Sequence, residues 1–175
     1  MTKYDDIYEL AADNYGLITS AQARTIDITN NELVQYARRG KVERIGQGLY
    51  KLVQYIPTPY DSYAEAVALV GPDAYLYGES VIAMHELAPT NPNYVYVATP
   101  NRVRRKLPPY MKVFRIVEGE KTTLYEGIPS QTVADAIRSC RGKIMDERLR
   151  DATLMARARG YLTRAEEQEL LEELL

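Results

Sequence analysis

Residues 29–52 read TNNELVQYARRGKVERIGQGLYKL. Thr29 stands three residues before Glu32, the spacing of a reciprocal capping box, and Gly40 marks the stop of a helix over 29–39. On a helical wheel Leu33, Tyr36 and Ala37 share the inner face. Asn31, Gln35 and Arg38 stack on the opposite one, flanked by Asn30 and Arg39. Two β-prone runs, VERI and LYKL, then flank Gly46 and Gly48. Both glycines are read as supplying the positive φ of a tight hairpin. Arg38, Arg39, Lys41 and Arg44 crowd the joint between helix and hairpin, four cations within seven residues.

Upstream, Ile7, Leu10 and Ala11 give 4–14 a helical spacing, 17–19 (LIT) is a short extended piece, and Thr19 with Gln22 caps a second helix ending near Thr25. Helix, strand, helix, turn, helix and hairpin, in that order, are the parts of a winged helix-turn-helix. Amides and guanidinium groups along the outward row are the forked groups that match base edges, Asn or Gln to adenine and Arg to guanine. The row Asn31, Gln35 and Arg38 therefore has the chemistry of base readout.

Pro57 and Pro59 break the chain after the hairpin. The boundary is expected within 55–60, giving a DNA-binding domain over 1–57 and a mixed α/β domain over 58–175, an α+β chain overall. In the second part, 61–70 and 79–87 read as helices, and 74–77, 94–99, 112–117 and 122–128 as strands. Residues 130–139 form a helix capped by Ser130, followed by helices over 145–160 and 163–174.

Among the 175 residues net charge is −2, which excludes a uniformly basic nucleic-acid coat, but the charge is unevenly placed. Residues 102–115 carry six cations and no acid, and the last dozen carry five glutamates against one arginine. Arg102, Arg104, Arg105 and Lys106 form a second electrostatic surface, for nucleic acid or an acidic partner. Cys140 is the only cysteine, so no intrachain disulfide forms, and no run approaches the ~20 apolar residues of a membrane span. Both fit a soluble cytoplasmic protein.

The blocks LITSAQARTIDITNNELVQYARRGKVERIGQGLYKL (17–52), YDSYAEAVALVGPDAYLYGESVIAMHEL (60–87) and YVYVATP (94–100) resemble the AbiEi-like antitoxins, over roughly residues 5–140. These are transcriptional regulators of type IV toxin–antitoxin pairs, with roles in phage defence. The resemblance implies an N-terminal winged helix that represses its own operon by binding inverted repeats in the promoter. It implies a recognition helix over 29–39 with Asn30, Asn31, Gln35 and Arg38 as base-facing candidates, and a turn and wing that supply Arg39, Lys41, Arg44 and Gln47 to phosphates or the minor groove. It implies a C-terminal domain that neutralises a nucleotidyltransferase-type toxin without need of a stable complex.

Catalytic constellations are thin. His85 is the only histidine, which rules out a His-rich metal site, and HEL lacks the remainder of a zinc-protease motif. Cys140 lacks an evident base. Asp73 and Glu79 are too closely spaced for a nuclease motif, and no Walker or Rossmann loop is present. No enzyme activity, metal or cofactor is expected. Beside the antitoxin reading stands a winged-helix regulator whose second domain senses a small ligand, and, more remotely, a nuclease fused to a DNA-binding module.

Overall fold

The computed structural model describes residues 2–175, and the chain divides between Leu69 and Val70 into two compact units. The first contains α1 (Lys3–Ala12), β1 (Leu17–Thr19), α2 (Ser20–Thr25), α3 (Asn30–Arg38), β2 (Val42–Gly46) and β3 (Leu49–Leu52), with α4 (Asp61–Val70) ending at the division. α1, α2 and α3 each start on a capping box, Thr2 with Asp5, Thr19 with Gln22 and Thr29 with Glu32, in which each partner satisfies a backbone donor of the other. The strands form one antiparallel sheet in the order β1-β3-β2. Ile7, Ala11, Ile18, Ala23, Ile28, Leu33, Val42, Tyr50 and Leu52 fill the core between sheet and helices. This is a winged helix-turn-helix with β2 and β3 as the wing.

Two expectations change here. Gly48 takes the left-handed conformation at the wing turn, with φ 64°, but Gly46 does not. Gly46 ends β2 just past a register shift at Arg44, and a Cβ there would stand 2.5 Å from Leu69 Cδ2. Its bare α-carbon therefore serves close approach to α4 rather than the turn. The expected boundary at 57/58 falls inside the first unit. Lys51 pairs with Glu65, and the Tyr55 hydroxyl donates to Asp61 Oδ1 at 3.3 Å, so α4 is tied to the wing and its following segment across the prolines.

The second unit contains β4 (Tyr75–Leu76), α5 (Glu79–Met84), β5 (Val95–Thr99), β6 (Met111–Arg115), β7 (Thr122–Tyr125), β8 (Ile128–Gln131), α6 (Val133–Ser139), α7 (Asp146–Ala158) and α8 (Arg164–Glu173). Its sheet is mixed, ordered β6-β5-β4-β8-β7, with β5–β6 and β4–β8 parallel and the remaining pairs antiparallel. The single strand expected over 122–128 is instead a hairpin, turning at Glu126 and Gly127. Ser130, expected as a helix cap, lies buried in β8, and the cap of α6 is Thr132, whose hydroxyl accepts from the Asp135 amide. Gln131 is fully buried. Its Oε1 accepts from Gly78 N at 2.9 Å and its Nε2 donates to Ser139 Oγ at 2.9 Å, joining β8 to the β4–α5 turn and to α6.

His85 follows α5 and is 5% exposed, its ring 3.9 Å from that of Tyr125 and 4.7 Å from that of Tyr161, centroid to centroid. Neither ring nitrogen has a hydrogen-bond partner among the described residues. Burial, followed by the Arg159 guanidinium, lowers its pKa to about 4. The imidazole thus works here as an uncharged aromatic wedge.

Two tests follow from this packing. Gly48→Ala strains a left-handed residue and should cost about 1–2 kcal/mol in urea unfolding. Gly46→Ala should be relieved by Leu69→Ala in the same chain, a coupling that Gly48→Ala should not share; additive costs at Gly46 and Leu69 would contradict the close-approach reading. The second test is pH. Unfolded His85 binds a proton below about pH 6.5, whereas the folded residue resists until about 4. The stability that burial of the neutral ring provides is therefore complete above that range and declines as pH falls through it. Between pH 7 and 5 the loss should be about 2 kcal/mol. His85→Phe keeps a ring between the two tyrosines and should remove that slope, measured by urea unfolding at both pH values.

Candidate nucleic-acid interface

α3 is held from three sides. Its N-terminus is closed by the capping box, in which Glu32 N donates to Thr29 Oγ1 at 3.2 Å. The Glu32 carboxylate also accepts Lys3 Nζ at 2.6 Å, tying α1 to α3. Chiefly through that hydrogen bond, the Glu32 pKa is lowered and that of Lys3 raised. Leu33 is fully buried, and Tyr36 sits against Tyr4 with ring centroids 6.0 Å apart. At the exit from the helix Lys41 N donates to Tyr36 O at 2.9 Å, and Lys41 Nζ lies over the Tyr4 ring at 5.3 Å. Helix and wing thus leave a shared, braced corner.

Asn30, Asn31, Gln35, Arg38, Arg39, Lys41, Arg44 and Gln47 are all exposed. The helical spacing aligns Asn31, Gln35 and Arg38 along the outward face of α3, and Arg39 caps its end. None of the side chains of Asn30, Asn31, Gln35, Arg38, Arg39 or Gln47 makes a hydrogen bond or ion pair among the described residues. Arg44 Nε donates to Gly46 O at 3.2 Å, which fixes the stem of the guanidinium along the wing. Lys51 of β3 is engaged elsewhere: it pairs with Glu65, and its Nζ lies 5.6 Å from the Tyr55 ring centroid.

Val34 belongs to the same outward face and was not among the expected site residues. It is 38% exposed and lies next to Arg38 on the wheel, on the side away from Gln35. Its angular position was available from the sequence; its apolar character hid it among polar neighbours. A valine there can meet a thymine methyl in the major groove.

In the second unit Arg102, Arg104 and Lys106 are exposed and without partners among the described residues, whereas Arg105 donates to Val70 O. Arg102, Arg105, Pro108, Val113 and Arg115 help line an open cleft of about 420 Å³. The acidic end of the chain is partly neutralised: Arg138 reaches Glu169 at 3.4 Å and Glu173 at 3.3 Å, and Arg141 reaches Glu173 at 3.5 Å. Glu166 is occupied in the capping box of α8.

Among the described residues no group of three or more His, Cys, Asp or Glu side chains is placed to hold a metal ion, and no helix is long and apolar enough to cross a membrane. Cys140 is buried, its thiol pushed up to about 12 by burial and then by Glu79, which keeps it protonated and poorly nucleophilic.

Comparison with known proteins bears on the first unit. Residues 5–53 match the family described as "Transcriptional regulator, AbiEi antitoxin". No curated protein matches the chain. Among solved structures it is similar to the RV2827C protein from Mycobacterium tuberculosis, at 15% identity and a TM-score of 0.45, over 98% of this chain and 82% of that one. The family match covers most of α1 together with α2, α3 and the wing, and lies wholly within the first unit.

Proposed function

We propose that the chain is the DNA-binding antitoxin of a type IV toxin–antitoxin pair. In this reading it represses its own operon by binding promoter inverted repeats through the first unit. The second unit opposes a nucleotidyltransferase-type toxin. It acts in the cytoplasm, without a cofactor and without catalysis of its own. The observation that carries the DNA reading is the outward face of α3: Asn31, Val34, Gln35 and Arg38 exposed, the three polar ones unpaired, beside the exposed cations Arg39, Lys41 and Arg44. A helix end and a wing fixed to each other divide the work. Side chains on the helix face read base edges in the major groove, and the corner cations hold the phosphates.

The division is testable by gel shift with promoter DNA across a salt series. Gln35→Ala and Arg38→Ala should each cost about 1–3 kcal/mol on the operator and relax sequence preference. Lys41→Ala and Arg44→Ala should weaken all duplexes alike and flatten the salt slope by about one unit each. Four indistinguishable variants would refute the division, and an intact chain that prefers no promoter sequence would refute the reading.

Neutralisation is assigned to the cationic loop rather than to the terminal helix, because Glu169 and Glu173 are engaged by Arg138 and Arg141. Arg102, Arg104 and Lys106 stand unpaired and can compete for an RNA substrate of the toxin. Reversing these three to Glu should abolish growth rescue on co-expression with the toxin while operator binding persists. Undiminished rescue would remove the loop from the mechanism.

A further inference from the structure

The second unit holds a cavity of about 430 Å³ whose chemistry is neither that of the basic loop nor that of a closed core. Tyr77, Tyr96 and Phe114 form its aromatic wall, and Glu79, Lys112, Ser139, Cys140 and Lys143 complete the lining. β5 and β6 run parallel in a register that places Tyr96 beside Lys112 and Ala98 beside Phe114, so Tyr96, Lys112 and Phe114 share one face of the sheet. The Phe114 ring lies 6.1 Å from that of Tyr96 at an interplanar angle of 21°, and 5.3 Å from that of Tyr77. Phe114 nonetheless remains 36% exposed at the cavity wall.

The charges around this wall are unmatched. Lys143 Nζ stands 5.8 Å from the Phe114 ring centroid, and Lys112 Nζ 4.8 Å from that of Tyr94, but neither amine pairs with a carboxylate among the described residues. Glu79 likewise has no hydrogen bond or ion pair there, although its charge reaches inward: after burial, it is the next cause raising the pKa of both the Tyr96 hydroxyl and the Cys140 thiol. A flat apolar wall, two cations without an anion and one carboxylate without a donor define the complement. It is a planar π-faced group that carries an anion at one end and N–H donors at the other.

We propose that this cavity binds one unpaired nucleotide, its base stacked on Tyr96 and Phe114, its phosphate held by Lys112 and Lys143, and the exocyclic amine of cytosine, adenine or guanine donated to Glu79. Stacking on aromatic side chains tolerates any base, lysine meets phosphate as a point charge, and a carboxylate placed to accept from an exocyclic amine repels the O4 carbonyl that uracil carries where cytosine has its amine. The volume is that of a small-ligand pocket. The site is independent of the promoter reading, because it lies wholly in the second unit and uses none of its residues. The same chemistry is offered by a free mononucleotide and by one residue of a single strand.

The test is calorimetric titration of the full chain with cytidine and uridine 5′-monophosphates, and separately with short single strands of cytidylate and uridylate. Cytidine should bind about tenfold more tightly than uridine. Glu79→Gln, which turns the acceptor into a group that also donates, should erase that preference while leaving binding intact, an effect that loss of structure does not produce. Lys143→Glu changes an exposed side chain and should lower affinity about tenfold without altering the unfolding curve. Phe114→Ala should abolish binding. Saturation by the mononucleotide identifies a free effector; binding by the strand alone, still sensitive to Phe114→Ala and Lys143→Glu, identifies a single-stranded segment. Absence of binding in both arms, or binding unaffected by Lys143→Glu, overturns the proposal.

Discussion

The first unit depends on the pairing of a three-residue strand. Leu17, Ile18 and Thr19 lie opposite Lys51, Tyr50 and Leu49, and two backbone bonds extend the seam, Leu52 N to Gly16 O and Ser20 N to Gly48 O, both 2.8 Å. A two-stranded hairpin alone is marginal in water, while a third strand gives it a buried face. Here that face brings Ile18 and Tyr50 into the core that also receives Leu33 from α3. The wing is therefore positioned by the strand that precedes α2, and the corner holding Arg38, Lys41 and Arg44 has a fixed geometry rather than that of a mobile arm. The Lys41 to Tyr36 backbone bond finishes the joint. A braced corner holds the four cations at a set spacing, which the proposed function uses against successive phosphates of a duplex.

Charge in this chain acts locally. A net charge of −2 says little when screening confines exposed charges to about 8 Å at physiological salt. What matters is which charges are already answered. Lys3 with Glu32, Lys51 with Glu65, and Arg138 with Glu169 and Glu173 are answered within their own units. The amides and cations of the α3 face, three residues of the basic loop, and the two lysines and one glutamate of the aromatic cavity are not. The unanswered groups coincide with exposed or concave surface, where a partner can reach them.

Much of the first unit was readable because its signals are local. Thr19 with Gln22, and Thr29 with Glu32, announce their helices within four residues, and VERI and LYKL announce a hairpin by their spacing. The role of Gly46 was not readable, because Leu69, the residue that needs its bare α-carbon, lies far along the chain. β8 was obscured for a related reason. Pro129 argues against a strand and Ser130 imitates a helix cap, while the partner that makes residues 128–131 extended is β4, more than fifty residues earlier, with Leu76 opposite Ser130. The prolines at 57 and 59 separate β3 from α4 along the chain but not in packing. The side chains that carry α4 back onto the first unit, Asp61, Glu65 and Leu69, are ordinary helix residues until their partners are known.

The basic stretch over 102–115 shows how a one-dimensional reading merges what the fold separates. Read along the chain, its six cations are one electrostatic surface. In the fold, β6 is an edge strand whose pleat sends successive side chains to opposite faces. Met111, Val113 and Arg115 line the open cleft with Arg102 and Arg105, while Lys112 and Phe114 line the aromatic cavity with Tyr96 and Lys143. One face offers guanidinium groups around prolines, suited to a backbone of charge. The other offers ammonium groups around stacked rings, suited to a base with its phosphate. Cations on an edge strand also discourage pairing with a further strand, so their presence on β6 has a structural reason as well. That reason accounts for charge on the edge but not for an exposed phenylalanine set against a tyrosine between two unpaired lysines. It is the alternation of residue types along five positions of β6, rather than the total charge of the stretch, that distinguishes a binding surface from a protected edge.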